Sequence, residues 1–334
     1  MTTALALLGY AAAAAWGAPA LLAPLTRRGV SVRAGLAAWL AAMASVLSAA
    51  VVAIYFSFRT VAADWPQLTQ ALCRSVAGGA CTPEVYRSAL YEGGVTALAI
   101  AGTLIAVVAL WRYGHRVQRS RRQTRAHAEA ARLVGRALAG NAAGIAARGH
   151  ARAVVLDDPR PAAYCVAGHP AAIVLTSGAL EVLDQAQLGA VLAHERAHLA
   201  HRDHLLHTLT QGLAAAFPGV PLFCRGAAEV ARLTEMSADD TAARSAGRPA
   251  LVAALLAIAT GAAFASARVS GAAAQGASVP GGALAAAAHA VPDRVERLLC
   301  PSTRARSAAF TAALALALAL LAAVPAALTL LLSR

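Results

Sequence analysis

Long uncharged apolar runs alternate with arginine-rich stretches along this chain. The first run extends from Ala4 to about Leu25 and the second from Ala34 to Phe58, separated by the short basic stretch from Thr26 to Arg33. A spanning helix needs about 20 mostly apolar residues, so each run is long enough to cross a bilayer and the two predict a helical hairpin. No basic segment precedes the first run, which therefore reads as a retained span rather than a cleaved signal peptide. A third run covers 94–113 and a last one covers Ala308 to Leu332. Residues 59–93 between the second and third are mixed and polar, and they predict a loop.

Charge asymmetry orients these runs. Arg112, Arg116, Arg119, Arg121, Arg122 and Arg125 follow the third run, and Arg294, Arg297, Arg304 and Arg306 precede the last. Arginine-rich flanks stay in the cytoplasm. This places the 26–33 stretch and the 114–307 segment inside and the 59–93 loop outside. The predicted organisation is a hairpin over 1–58, an extracytoplasmic loop over 59–93, a third span over 94–113, a cytoplasmic domain over 114–307 and a fourth span over 308–334.

Within 114–307 the pattern changes. Ala151 to Leu156 and Ala171 to Thr176 predict short strands on their β-rich content and Pro/Gly punctuation, and 184–209 and 226–246 predict helices. Two more apolar stretches, Leu205 to Phe223 and Leu251 to Ala267, compete for the role of spans. A crossing at either would reverse the charge rule or separate residues that share one site, so both predict buried or membrane-skimming helices. The Gly/Ala/Ser-rich 269–288 stretch predicts a flexible loop.

Composition supports a membrane protein. The 334 residues are 59% hydrophobic and 13% charged, with a mean hydropathy of +0.59, too little polar surface to cover one soluble globule. The net charge of +13 comes entirely from arginine, since the chain holds no lysine. In a soluble protein it would suggest nucleic acid; beside apolar runs it reads as lipid contact and topology, so no direct nucleic-acid partner is expected. Cys73 and Cys81 are close together in the loop placed outside, where a disulfide can form. Cys165, Cys224 and Cys300 read as small buried apolar residues.

The chemistry is carried by His194-Glu195-Arg196-Ala197-His198, an HExxH on a segment of good helix propensity. Residues four apart share a helix face, so both imidazoles reach one metal while the Glu between them lies beside the water to be activated. Glu195 is then the general base. So short a pattern also occurs by chance, and a third ligand is needed to lift it. Downstream, Glu235 and Asp239 share a helix face at four-residue spacing; Glu235 completes a His, His, Glu set and Asp239 is placed to accept a hydrogen bond from a ligating imidazole. His204 is the rival, at the spacing of HExxHxxGxxH. That pattern requires Gly where this chain has His201, and a helix continuing past His198 carries His204 away from the metal.

Gln187 to Leu192 leading into HExxH, then Arg202-Asp203, then Glu235 and Asp239 as ExxxD, resemble the membrane-bound gluzincin peptidases. The resemblance covers about residues 150–300 and includes Ala171 to Leu180, similar to the strand and turn before the zinc helix there. It implies an α-helical integral membrane protein of four spans with an inserted α+β cytoplasmic zinc peptidase domain and one Zn2+ per chain. In such families the strand before the zinc helix pairs with extended substrate, which makes Ile173 to Thr176 either a docking edge or a core strand. His289 to Leu298 is similar to a late family element, His-Pro followed by Arg-Ile-x-x-Leu. Pro does not follow His289 directly here, a departure that bears on an oxyanion role for it, and Arg294 matches as a structural or substrate-facing cation.

Two branches fit. Three spans before the zinc domain and one after are similar to the β-lactam-sensor antirepressor type, which implies regulated cleavage of a cytoplasmic repressor, such as a winged-helix protein. The chain ends after its last span, so the sensor domain of that type is expected to be absent. The CAAX-prenyl-endopeptidase and heat-shock type implies membrane-protein quality control instead. A third reading is a signalling protein with a structural metal site, against which Glu195 stands, because a structural site needs no base. Oligomerisation is open in all three.

Overall fold

Apolar side chains on every face of a helix leave it no side for water, and the amino-terminal helices have this character. The computed structural model describes residues 2–27, 31–76, 83–138, 152–167, 171–269, 291–300 and 304–332. These form two compact units: Met1–Arg116, Thr210–Ala227 and Ala308–Arg334 in one, Val117–Leu209 and Ala228–Ser307 in the other.

In the first unit, α1 (Thr2–Arg27) packs on α2 (Val32–Val76). Leu7, Ala11, Ala14, Ala18 and Leu22, three or four residues apart, form the buried stripe of α1, and Ala38, Trp39, Ala42 and Met43 are buried on α2. The hydroxyls of Tyr10 and Ser45 join the helices at 2.6 Å. Leu5, Trp16, Leu21, Val51 and Tyr55 point outward and are exposed, as lipid-facing residues of a span are. Among the described residues, Thr2–Thr26 and Val32–Ala63 are long and apolar enough to cross a membrane. The helix α3 (Pro83–Val134) exposes Leu104, Ile105, Val107, Val108, Leu110 and Trp111. Arg112 Nε donates to the Ala215 carbonyl at 2.7 Å, and Gly226 lies so close to Met43 and Trp39 that a Cβ would collide with them.

The expected loop over 59–93 is not a loop where it is described: 59–76 and 83–93 are helical. Adding residues to an existing helix is far easier than starting one, and the Ala-rich sequence after Phe58 offers no barrier to propagation. The Cys73–Cys81 pairing lies outside the described residues, as does nearly all of the 269–288 stretch.

The second unit is built on a four-stranded sheet. Its strands are β1 (Arg136–Ala137), β2 (Arg152–Leu156), β3 (Ala163–Val166) and β4 (Ala172–Thr176), in the order β1-β2-β4-β3. β4 runs parallel to β2 and antiparallel to β3, and all five of its residues are buried. Ile173 to Thr176 is therefore an interior strand: of the two alternatives the core strand holds and the docking edge does not. Among the described residues β3 pairs with β4 alone and is the edge on that side.

Thr176 caps the short helix α4 (Ser177–Val182), accepting from the Ala179 amide at 3.2 Å. Asp184 and Gln187 then form a reciprocal capping box that starts α5 (Gln185–His201). Leu188, Val191 and Leu192 of α5 pack on Ala153, Ile173 and Leu175 of the sheet. The remaining helices are α6 (Asp203–Ala216), α7 (Pro221–Ala246), α8 (Arg248–Val269), α9 over residues 291–299, and α10 (Arg304–Leu332), which falls largely in the first unit. Ala190, Ala242, Leu251 and Leu298 bring α5, α7, α8 and α9 into one buried cluster. Helix α5 packs against α8, and the small alanines of this cluster suit close packing, since interaxial distance follows side-chain size.

Candidate metal centre

The site residues come from α5, the start of α6, α7 and α9, and all of them lie within the second unit. His194 and His198, one turn apart, turn their Nε2 atoms to the same point, 3.1 Å from each other. Glu235 comes from α7 and completes a triangle, Oε2 at 3.4 Å from His194 Nε2 and Oε1 at 3.4 Å from His198 Nε2. Ligands bound at zinc distances on a tetrahedron stand ~3.3 to 3.5 Å apart. The two contacts to Glu235, made through different oxygens, fall in that range and the 3.1 Å between the imidazoles is a little shorter; with one donor atom from each residue all three lie within 4.8 Å of one another, and this is the group of described residues whose donor atoms converge as a metal requires. Glu235 keeps 34% of its side chain exposed, whereas the side chains of His194 and His198 are buried at 10% and 11% exposure. His204, the rival third ligand, is exposed and outside the cluster.

The helix predicted to run through 209 breaks at Arg202, which adopts the left-handed conformation at φ 57° with a side chain that does not favour it. The break sends Asp203 back over the end of α5. Its buried carboxylate accepts from His198 Nδ1 at 2.7 Å. On the other imidazole, Nδ1 of His194 lies 3.0 Å from Asp239 Oδ1, a charge contact not aligned as a hydrogen bond. Each histidine thus has a carboxylate behind it, which fixes the ring and directs Nε2 forward.

Arg294 on α9 is also present. Its Nε and Nη2 hold the two oxygens of Asp239 at 2.7 and 2.6 Å, and Nη1 lies 3.2 Å from Glu235 Oε2. The reading of Arg294 as a substrate-facing cation gives way to this pairing, because all three of its nitrogens engage carboxylates. His289 lies outside the described residues.

Charge in the site is unbalanced. Burial opposes the charged form of both histidines, yet Asp239 and Glu235 outweigh it at His194 and hold that imidazole above its ordinary value. At His198, Asp203 and Glu235 overcome burial and push the value up to about 10. Burial would raise Glu235 and Asp239; the histidines and Arg294 hold both carboxylates below their usual range. A cluster that draws protons onto two imidazoles in this way suits a divalent cation in their place.

Glu195 is buried between the two histidines in sequence. Burial first, and then the nearby Glu195 carboxylate, push up the Cys165 thiol, which puts the β3 edge strand beside Glu195. Cys165 is only half-buried, and Cys224 and Cys300 are exposed, against the expectation of three buried cysteines.

Sequence reasoning missed Asp203 as a support for His198, although Arg202-Asp203 stood in the motif. It also missed His207, whose Nε2 lies 2.7 Å from the Thr234 hydroxyl, one residue before Glu235.

An HExxH helix whose histidines meet a glutamate from a second helix, with an acid held between them, defines a metallopeptidase. Residues 120–302, more than half of the chain, match the model of peptidase family M48, and the chain belongs to that family. A protease HtpX homolog of Acidiphilium cryptum (strain JF-5) is 45% identical over 67 residues, 20% of this chain and 23% of that protein. One from Ralstonia nicotianae is 36% identical over 74 residues, 22% of this chain and 26% of that protein. The matches span about a quarter of the length of these curated relatives. No solved structure matches the chain.

Proposed function

We propose that the protein is a multi-pass membrane zinc endopeptidase whose site, on the cytoplasmic side, hydrolyses peptide bonds of membrane or membrane-proximal proteins, in the manner of the heat-shock and CAAX-endopeptidase type. The observation that carries this reading is the donor triangle of His194, His198 and Glu235 with Glu195 beside it. When bound, zinc lowers the pKa of water towards ~7 and polarises a peptide carbonyl. Glu195 takes the proton of the attacking water and delivers it to the leaving amine. Asp203 and Asp239 hold the imidazoles in place, and Glu235 supplies the third donor. The free edge of β3, running past Glu195, replaces β4 as the strand that pairs with an extended substrate.

The four spans are α1, α2, the 94–113 part of α3, and α10. The exposed apolar side chains of α3 between Ile100 and Trp111 support the third. Arginines on the 114–307 side of α3 and before α10 support a cytoplasmic site.

The test is made with the full chain in lipid nanodiscs. We expect about one zinc per chain and cleavage of several unrelated unfolded membrane substrates, lost in Glu195→Ala and after chelation. Undiminished cleavage by that variant sinks the assigned base. A second reading, cleavage of a cytoplasmic repressor, draws on the order of apolar helices, three before the zinc helix and one after. Cleavage confined to one winged-helix protein among the substrates tried would favour it.

A further inference from the structure

Two carboxylates on one face of α7 stand within reach of the histidines, and only one of them joins the donor triangle. Glu235 and Asp239 are one turn apart, where side chains are neighbours. Both are anionic, and both are drawn towards a cation. Arg294 separates their roles. Its fork takes both oxygens of Asp239, at 2.7 and 2.6 Å, so that this carboxylate can offer His194 Nδ1 only its shared Oδ1 at 3.0 Å. The same guanidinium reaches Glu235 through one nitrogen at 3.2 Å from Oε2, which leaves Oε1 facing His198 and Oε2 still 3.4 Å from His194. The guanidinium and Asp239 are almost wholly buried, at 9% and 1% side-chain exposure, so the grip is held in a medium where a charge-assisted bidentate pair is strong.

We propose that Arg294 is a positioning residue: it withholds Asp239 from the metal, fixing it behind His194, and delivers Glu235 to the metal as the sole acidic ligand. This rests on the metallopeptidase reading above and adds the device that assigns the donors. A planar fork is required, because a lysine ammonium makes a point contact and cannot hold both oxygens of Asp239 in register. Arg297 offers an internal comparison. It lies on the same helix, bonds Asp240 at 2.6 Å and donates to the Met236 carbonyl at 3.4 Å, but it is partly exposed and its bonds go to no side chain of the donor triangle.

Electrostatics and placement predict opposite signs. Removing a cation from beside the ligands should tighten binding of a dication if charge is all that matters; losing the fork should weaken it if placement dominates. The full chain is stripped of metal in nanodiscs and titrated with Co2+, following the visible absorption of the ion, and with Zn2+ against a chelating indicator. We expect Arg294→Gln and Arg294→Lys both to lose ~10- to 100-fold in affinity, the range for groups that orient ligands. The cobalt spectrum should change in both, while Arg297→Gln leaves affinity and spectrum as in the wild type. Arg294→Lys keeps the buried charge and so guards against loss of the fold. Unchanged or tighter binding by Arg294→Gln, or full recovery by Arg294→Lys, overturns the inference while leaving the metallopeptidase reading intact. Failure of the wild type to bind either ion sinks both.

Discussion

His194 and His198 lie one turn apart on α5, but their supports are built in different ways. Behind His198 stands Asp203, five residues along the chain, brought back by a single left-handed residue and bonded at 2.7 Å. Behind His194 stands Asp239, from another helix, at 3.0 Å and off the line of a hydrogen bond, itself held by Arg294 from a third helix. The first support needs only the end of α5 to be folded. The second exists only when α5, α7 and α9 are packed together. Damage to the local support should therefore fall mainly on the metal, whereas damage to the assembled one should cost the fold more.

The largest expected effect removes neither support. Glu195→Gln should lower proteolysis about 10³-fold, within the range of general-base catalysis, while zinc content stays at the wild-type level; loss of zinc in this variant would show that Glu195 holds the site together as well. Asp239→Asn should come next, because it leaves Arg294 buried without its principal partner. A cost of about 3–5 kcal/mol in unfolding free energy is expected, together with weaker metal binding. Asp203→Asn should weaken metal binding to a similar degree but cost only about 1–3 kcal/mol. Denaturant unfolding of the two variants side by side breaks the comparison if Asp203→Asn proves the more destabilising.

A pH series of the metal-free protein sharpens it. The value of His198 is raised from 6.5 to about 10 by its carboxylates, so its contribution to stability is complete below about pH 6.5 and is lost as pH rises through about 10. Glu235 and Asp239 are depressed, so their contribution is present above the ordinary carboxylate range and is lost on acidification below it. Melting temperature of the apoprotein should fall from neutral to alkaline pH, and Asp203→Asn should flatten that fall more than Asp239→Asn does. Equal flattening by both would mean that the two supports act as one. The smallest effect is at the turn itself. Arg202→Gly relieves a left-handed residue of its side-chain clash and should stabilise by about 1 kcal/mol, read as a higher melting temperature with metal affinity unchanged.

The parts visible in the sequence are those whose spacing carries the geometry. HExxH and ExxxD each place two side chains on one helix face, so the residues that converge could be named without coordinates. Two of the four strands were legible because Ala151 to Leu156 and Ala171 to Thr176 are apolar and punctuated. β1 is two residues long and β3 four, too short for a periodic signal, and without β3 the interior place of β4 could not be seen. The stop at Arg202 carries neither Gly nor Pro; it arises from a tertiary demand, the return of Asp203 to His198, that overrides good local helix propensity. Arg294 and Asp239 are 55 residues apart, and no local pattern relates them.

The donor triangle bears on which ion the protein carries in a living cell. With two imidazoles and edges of 3.1 to 3.4 Å, it disfavours calcium, which takes about six to eight oxygens, and magnesium, which keeps its waters and an octahedral shell. Among first-row ions it has no such discrimination, and copper outranks zinc for nitrogen donors of this kind. Selectivity for the resident ion is therefore delegated to the surroundings: the compartment in which the chain matures, and the free ions buffered there, determine whether it emerges as an active enzyme or an occupied but inert one.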